Sequence, residues 1–381
     1  SDDGGASMLD TNLQEARAPT RNTVATKYFN TDFPVDLMGA GKDAPMPEID
    51  MILRTQHLDN ETMFWTYAFL GRLLYPVKHH DGWSRIMFVK GMAGSGKSTI
   101  CNAVRQLYPP HLVGTVGHET TFMLSALHDK LLYICAEVRR DTPVFFHAHQ
   151  NDFQSMITGV EINVAFKGKT ARVVTWQSQG LLCGNQMFKV SDAGGSIHRR
   201  LLMINFDYAI KGDDLDPLLE NKISDNIGAF LLKCNCAYLH AAQKHGRHDL
   251  LSTGVLPPQI HTFLRYAKNL VDSAARFIDE RLQSRLILAS DVSAPPTEVY
   301  MKWSEFTSAY TRFLDSNNLP KQQADRDHFS RVFSDYTIVY HDGELDYGDQ
   351  ARVNAKWVLG IGIMDNFPDL ATRNQGIANL L

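Results

Sequence analysis

The stretch that most constrains this chain is Arg85-Ile86-Met87-Phe88-Val89-Lys90 followed by Gly91-Met92-Ala93-Gly94-Ser95-Gly96-Lys97-Ser98-Thr99. A short apolar run enters a glycine-rich turn, and Ile100, Ala103 and Val104 then recur at helical spacing. Strand, turn and helix in that order are the setting in which G-x-x-x-x-G-K-[ST] forms a phosphate loop, here through Gly91, Gly96, Lys97 and Ser98. Glycines let backbone N–H groups turn inward around phosphate oxygens. The helix starting near Lys97 points its positive end at the same anion. Lys97 is placed to reach the β- and γ-phosphates and the Ser98 hydroxyl to bind Mg²⁺. Gly91, Ala93, Gly94, Ser95, Gly96, Lys97, Ser98 and Thr99 are therefore expected to hold a nucleoside triphosphate, taken to be ATP.

With 381 residues, 44% of them hydrophobic, the chain has room for two or three domains. No run of 18 apolar residues occurs, so no membrane span is expected. The small, polar start from Ser1 to Ser7 does not read as a signal peptide. A net charge of −4 gives no overall nucleic-acid signature, which leaves room for a local basic groove. Five cysteines, an odd number, argue for reduced thiols and an intracellular location. Cys234 and Cys236 precede His240, His245 and His248, an arrangement that invites a zinc reading. However, Phe230, Leu231, Cys234, Ala237, Tyr238 and Ala241 fall at helical spacing, and Cys236 would point about 200° away from Cys234.

The pattern divides the chain into five parts. Residues 1–45 read as an extended lead-in with a short strand near Tyr28. Residues 46–80 form a helical unit, with one helix from Pro47 to Arg54 and another capped by Asp59 or Asn60. Residues 81–222 form the nucleotide-binding core. Its further strands are expected at Leu131–Ala136, Leu181–Cys183 and Leu201–Phe206, making a mostly parallel sheet flanked by helices. Between the first two, Val160–Phe166 and Thr170–Trp176 read as a hairpin with Lys167-Gly168-Lys169 at its tip. Residues 223–293 are helical, with a single apolar face running from Ile260 to Leu282. In 294–381, a helix carrying Tyr300, Trp303 and Phe306 and another over 329–333 precede two strands joined through Asp342-Gly343, which suggests a winged helix.

Hydrolysis needs a carboxylate near the metal and the attacking water, a polar sensor of the γ-phosphate, and often an arginine from a neighbour. Glu137 ends the first apolar strand, and ligands bind outside the carboxyl ends of parallel strands. It is the expected base and, with Ser98, the expected Mg²⁺ partner. Asn185 follows the second strand and can hydrogen-bond the phosphate or the water. Arg199 and Arg200, preceding the third, suit an arginine finger.

In this order the motifs resemble those of the superfamily 3 helicases, hexameric AAA+ proteins of DNA viruses and mobile elements, and most closely the helicase half of poxvirus-type primase–helicases. The resemblance runs from about residue 30 to 365. It departs in having a single acid at the second motif and Cys183-Gly184-Asn185 at the third. It implies an ATP-dependent DNA helicase acting as a homo-oligomeric ring, with ATP and Mg²⁺ as cofactors, alongside a primase or polymerase, in a host cell's cytoplasm or nucleus or in a bacterial cytoplasm. It also implies that Lys167 and Lys169 hold single-stranded DNA in the ring channel, where lysines grip phosphates without reading sequence. Phe166 beside them is either a base-stacking ring or hairpin core. Two rivals remain at this level: a P-loop kinase, and a DNA-binding initiator or packaging module whose assembly ATP regulates.

Overall fold

The computed structural model describes residues 27–116, 123–138, 150–187, 197–212, 215–252, 254–319, 324, 326–347 and 350–367. Its centre is a five-stranded parallel sheet built from β1 (Ile86–Gly91), β2 (Val113–Thr115), β3 (Leu132–Val138), β6 (Gln179–Gly184) and β7 (Leu201–Phe206). The order is β2-β3-β6-β1-β7, so β1 lies between β6 and β7. Near-continuous apolar strands are what a sheet covered on both faces requires. Along β1, Met87 and Val89 join one core while Ile86 and Phe88 join the other. The expected α/β core with a parallel sheet is therefore the observed one; β7 coincides with its apolar run, β3 and β6 run past the ends of theirs, and β2 adds an edge strand that the sequence pattern does not single out.

The first core is covered by α1 (Pro47–Thr55), α2 (Asn60–Arg72), α3 (Lys97–Gln106) and the later α7 (Ile227–His245). Pro47 opens α1, and Asp59 caps α2 by accepting from the Thr62 N–H at 2.7 Å, both as the sequence indicates. Beneath them Arg72 and Asp81 form a buried ion pair, at 2.8 Å and 3.0 Å. Tyr238 and the backbone of Trp83 and Arg85 satisfy its remaining groups. The second core is closed by α4 (Met123–Leu127), α5 (Gln150–Thr158) and the hairpin β4 (Glu161–Phe166) and β5 (Lys169–Thr175). The main chain continues through α6 (Leu219–Asp225), α7 and α8 (Pro258–Val271).

Several expectations are corrected. Residues 27–34 run without regular structure where a strand near Tyr28 is expected, and 3₁₀ turns follow over Val35–Asp43. The single helix expected from Ile260 to Leu282 breaks at Asp272, whose carboxylate caps α9 (Ser273–Asp279) by accepting from the Ala274 and Ala275 N–H groups. Tyr300 lies on β9 (Tyr300–Lys302), ahead of α10 (Trp303–Ser316) rather than in it. Glu305 accepts from the Lys302 N–H at 3.0 Å and so sets the helix start. The strands after α11 (Arg326–Ser334) are β10 (Val339–Tyr347) and β11 (Gln350–Leu359), and Asp342-Gly343 lies inside β10 rather than at a turn. There the Trp357 indole donates to the Gly343 carbonyl at 2.8 Å.

This last part has its own core, which includes Phe277, Phe306, Tyr310, Phe329 and Val358. Its sheet runs β10-β11-β9, with the short strand ahead of α10 pairing with the hairpin's second strand, and β8 (Leu286–Leu288) pairs with β12 (Ile361–Ile363). No helix among the described residues is long and apolar enough to cross a membrane. Cys234 is buried in the first core while Cys236 packs with Leu232 and Ala44, so the two thiols face different surroundings.

Candidate nucleotide site

At the carboxyl end of the sheet lies a cleft of about 640 Å³. The phosphate loop from Ala93 to Thr99 forms one wall, Ala136-Glu137 and Gly184-Asn185 face it, and the segment 215–220 closes the far end. Gly94 and Gly96 both take positive φ, 74° and 92°. A Cβ on Gly96 would also lie 2.6 Å from the Ile52 side chain, so glycine is required there on two counts. The first turn of α3 thus starts at the cleft with its N–H groups directed into it. Ser98 is exposed at this edge.

Lys97 is nearly buried, and its ammonium donates to the Met92 carbonyl and to Ser95 Oγ at 3.3 Å. Burial lowers its pKa from the usual lysine range. A cation with few protein partners and little water is well matched to phosphate oxygens. Glu137 and Asn185 are both exposed into the cleft from adjacent strands, since β3 pairs with β6. The order of the sheet explains the convergence: β6 stands between the phosphate-loop strand and the acid-bearing strand, so Asn185 emerges between the loop and Glu137. Hydroxyl and carboxylate oxygens are the donors that suit Mg²⁺, so Ser98 and Glu137 fit it chemically.

Gly91 has a different place. It ends β1, does not line the cleft, and a Cβ there would lie 1.9 Å from the Phe206 carbonyl oxygen. Its glycine is dictated by packing against β7.

Arg199 and Arg200 form a 3₁₀ turn with His198 ahead of β7, at the opposite end of the sheet. Ile86 pairs with Leu201 and Gly91 with Phe206. Five residues at about 3.3 Å each put roughly 17 Å between the arginine end and the phosphate loop. Neither side chain lines the cleft of the phosphate loop. They line a second cleft with Trp83, Arg85, Arg247 and Asp249.

Lys167 and Lys169 are exposed at the hairpin tip, with Gly168 at φ 70° between them. Phe166 is only partly exposed and packs edge-on against His128 at 5.1 Å, so it is hairpin core. Arg172 on β5 is a third exposed hairpin cation, away from the Lys167-Gly168-Lys169 tip that the sequence pattern singles out.

Gln56 belongs to no motif in the sequence, yet it touches the phosphate loop. It is buried at the end of α1, donates to the Ser95 and Tyr208 carbonyls at 3.2 Å and 2.8 Å, and accepts from the Tyr208 N–H at 2.9 Å. It ties the phosphate loop to the segment after β7. Gln56→Ala removes the amide from the buried Ser95 carbonyl and from the partly buried carbonyl and N–H of Tyr208, and the buried group alone costs about 1–3 kcal/mol when left unpaired. A melting temperature lower by several degrees and weaker nucleotide binding are expected from thermal unfolding with and without ATP. An unchanged melting temperature would show that water replaces the amide.

Among known proteins, a family of unknown function (DUF5906) matches residues 89–200. No curated protein matches the chain. Among solved structures, an A-form apo structure of the NrS-1 C-terminal region is 13% identical with a TM-score of 0.49, over 94% of this chain and 91% of that one. A second A-form apo structure of that region, covering 305–718, is 15% identical with a TM-score of 0.44, over 86% and 79% of the two chains. A further apo structure of the same region is 13% identical with a TM-score of 0.46, over 94% and 91%.

Proposed function

We propose that this chain is an ATP-dependent DNA helicase of the superfamily 3 type, working as a ring of identical subunits on single-stranded DNA. The observation that carries the reading is the division of the motifs between two ends of one sheet. Phosphate loop, Glu137 and Asn185 share a cleft, while the arginine pair stands at the far end, suited to a neighbour's nucleotide.

In this reading the loop N–H groups and Lys97 bind the triphosphate, and Glu137 takes a proton from the attacking water. Asn185 orients that water or a γ-phosphate oxygen, and Arg200, with Arg199 beside it, meets the charge growing on the adjoining subunit's γ-phosphate. Mg²⁺, held by Ser98 and Glu137, would neutralise charge on the β- and γ-oxygens.

The DNA contact is assigned to the β4–β5 hairpin. Both of its lysines are exposed, whereas the exposed positions Asp342, Glu344 and Asp346 of β10 are acidic and repel a phosphate backbone. Alanine at both Lys167 and Lys169 is expected to weaken single-strand binding and reduce the salt slope by one to two units, about 0.7 per lost contact, with basal hydrolysis retained. Fluorescence titration at several salt concentrations reads both quantities. Unaltered affinity and slope would make the hairpin structural. The activity itself is tested by hydrolysis with and without single-stranded DNA and by unwinding of a forked duplex. Phosphate transfer to a small acceptor instead of water would indicate a kinase, and DNA binding without turnover a switch.

A further inference from the structure

The second cleft, of about 440 Å³, is cationic: Arg85, Arg199, Arg200 and Arg247 line it, with Asp249 as its acid. Arg85 lines the cleft, while the buried Arg72 lies behind it on the Trp83 and Arg85 carbonyls, and the two are served differently. Arg72 spends its donors on Asp81 and on the carbonyls of Trp83 and Arg85. Arg85 is 8% exposed. Its Nη2 donates to Asp249 Oδ1 at 3.0 Å, and its buried Nη1 has no hydrogen-bond partner among the described residues.

Asp249 lies just beyond α7 with a side chain 68% exposed, and the same Oδ1 accepts from the Leu251 N–H at 3.2 Å. The turn carrying it is anchored, since the Gly82 N–H donates to the Gly246 carbonyl at 2.8 Å and the Trp83 indole to the His245 carbonyl at 3.0 Å. A guanidinium fork matches two oxygens of one anion. Here one arm holds a carboxylate oxygen at the solvent edge and the other has no partner among the described residues. Arg199 stands near enough that its charge, together with the larger effect of burial, lowers the pKa of Arg85. An anion entering the cleft relieves that repulsion and gives Arg85 a two-oxygen partner.

We propose that Asp249 is an internal competitor at a phosphate site. It holds Arg85 in the lone subunit and gives it up to the terminal phosphate of the nucleotide on the adjoining subunit. Arg85 then joins Arg199 and Arg200 as a phosphate-facing cation. The identity of the phosphate rests on the ring reading above, whereas the competition within the cleft does not.

Pyrophosphate is the probe, titrated calorimetrically into the Lys97→Ala protein so that the phosphate loop contributes little. Asp249→Asn keeps an acceptor for the Leu251 N–H and removes the charge. It is expected to tighten pyrophosphate binding about threefold to tenfold. In an Arg85→Lys background, where the fork is lost but a cation remains, the same substitution is expected to gain much less. Unchanged or weaker binding in Asp249→Asn overturns the proposal, as does an equal gain with and without the Arg85 fork. With Lys97 intact, Asp249→Asn is expected to raise hydrolysis at limiting protein concentration. A pyrophosphate gain with no dependence of hydrolysis on protein concentration would leave the competitor standing and remove the ring.

Discussion

Glu137→Gln is expected to bind ATP as the parent protein does and to lose nearly all turnover. The substitution preserves shape and hydrogen-bonding reach within the cleft but cannot accept the water's proton. A positioned general base contributes about 10²- to 10⁴-fold. Glu137 is exposed into the cleft from β3, opposite the phosphate loop, so its loss disturbs no buried packing. Lys97→Ala is the complementary case. Its ammonium is nearly buried beside Ser95 and Met92, and removing it takes the main cation from the phosphates. A charged hydrogen bond is worth about 1.5–3 kcal/mol, so affinity falls by roughly tenfold to more than a hundredfold. Equilibrium binding of a fluorescent ATP analogue and steady-state phosphate release separate the two effects. Normal turnover in Glu137→Gln would remove it as the base, and intact binding in Lys97→Ala would place the phosphates elsewhere.

What the sequence makes legible here is local. The phosphate loop can be read because its flanks are a run of apolar residues and a helical repeat, and the sheet buries that run on both faces. Glu137 and Asn185 can be read because each follows such a run, and parallel strands deliver their ends to one edge. What escapes is the contact between distant segments. Gln56 meets Tyr208 across a separation of 152 residues through backbone groups, and no residue type at either end signals it. The break at Asp272 escapes because the apolar repeat continues through it, and only the cap geometry ends the helix. Asp342-Gly343 misleads for the opposite reason. A turn-forming pair is locally persuasive, but Asp342 and Gly343 pair with Lys356 and Ala355 inside the β10–β11 ladder. Gly91 fits the loop pattern by identity while its position is fixed by Phe206 on the neighbouring strand.

Arg200→Ala is expected to abolish hydrolysis alone and to regain part of it when mixed with Lys97→Ala. The sheet places Arg199 and Arg200 about five strand residues from their own phosphate loop, so no rotamer brings either to the local γ-phosphate. If they act on nucleotide at all, that nucleotide sits on another subunit. An arginine supplied in this way is worth roughly 10³- to 10⁵-fold in rate. Of the pair, Arg200 abuts β7 directly and is the more enclosed, whereas Arg199 is exposed, so Arg200 is held more firmly and ranks first. Complementation follows from geometry. In a mixed ring, a subunit with Lys97 intact but Arg200 replaced can bind ATP while its Lys97→Ala neighbour presents an intact Arg200. With random mixing at equal amounts, about one interface in four combines an intact loop with an intact arginine, so recovery should approach a quarter of parental activity if sites act independently. Phosphate release across a mixing series, with assembly followed by light scattering, provides the measurement. Hydrolysis independent of protein concentration, together with no recovery at any mixing ratio, would show that the arginines do not complete a neighbour's site.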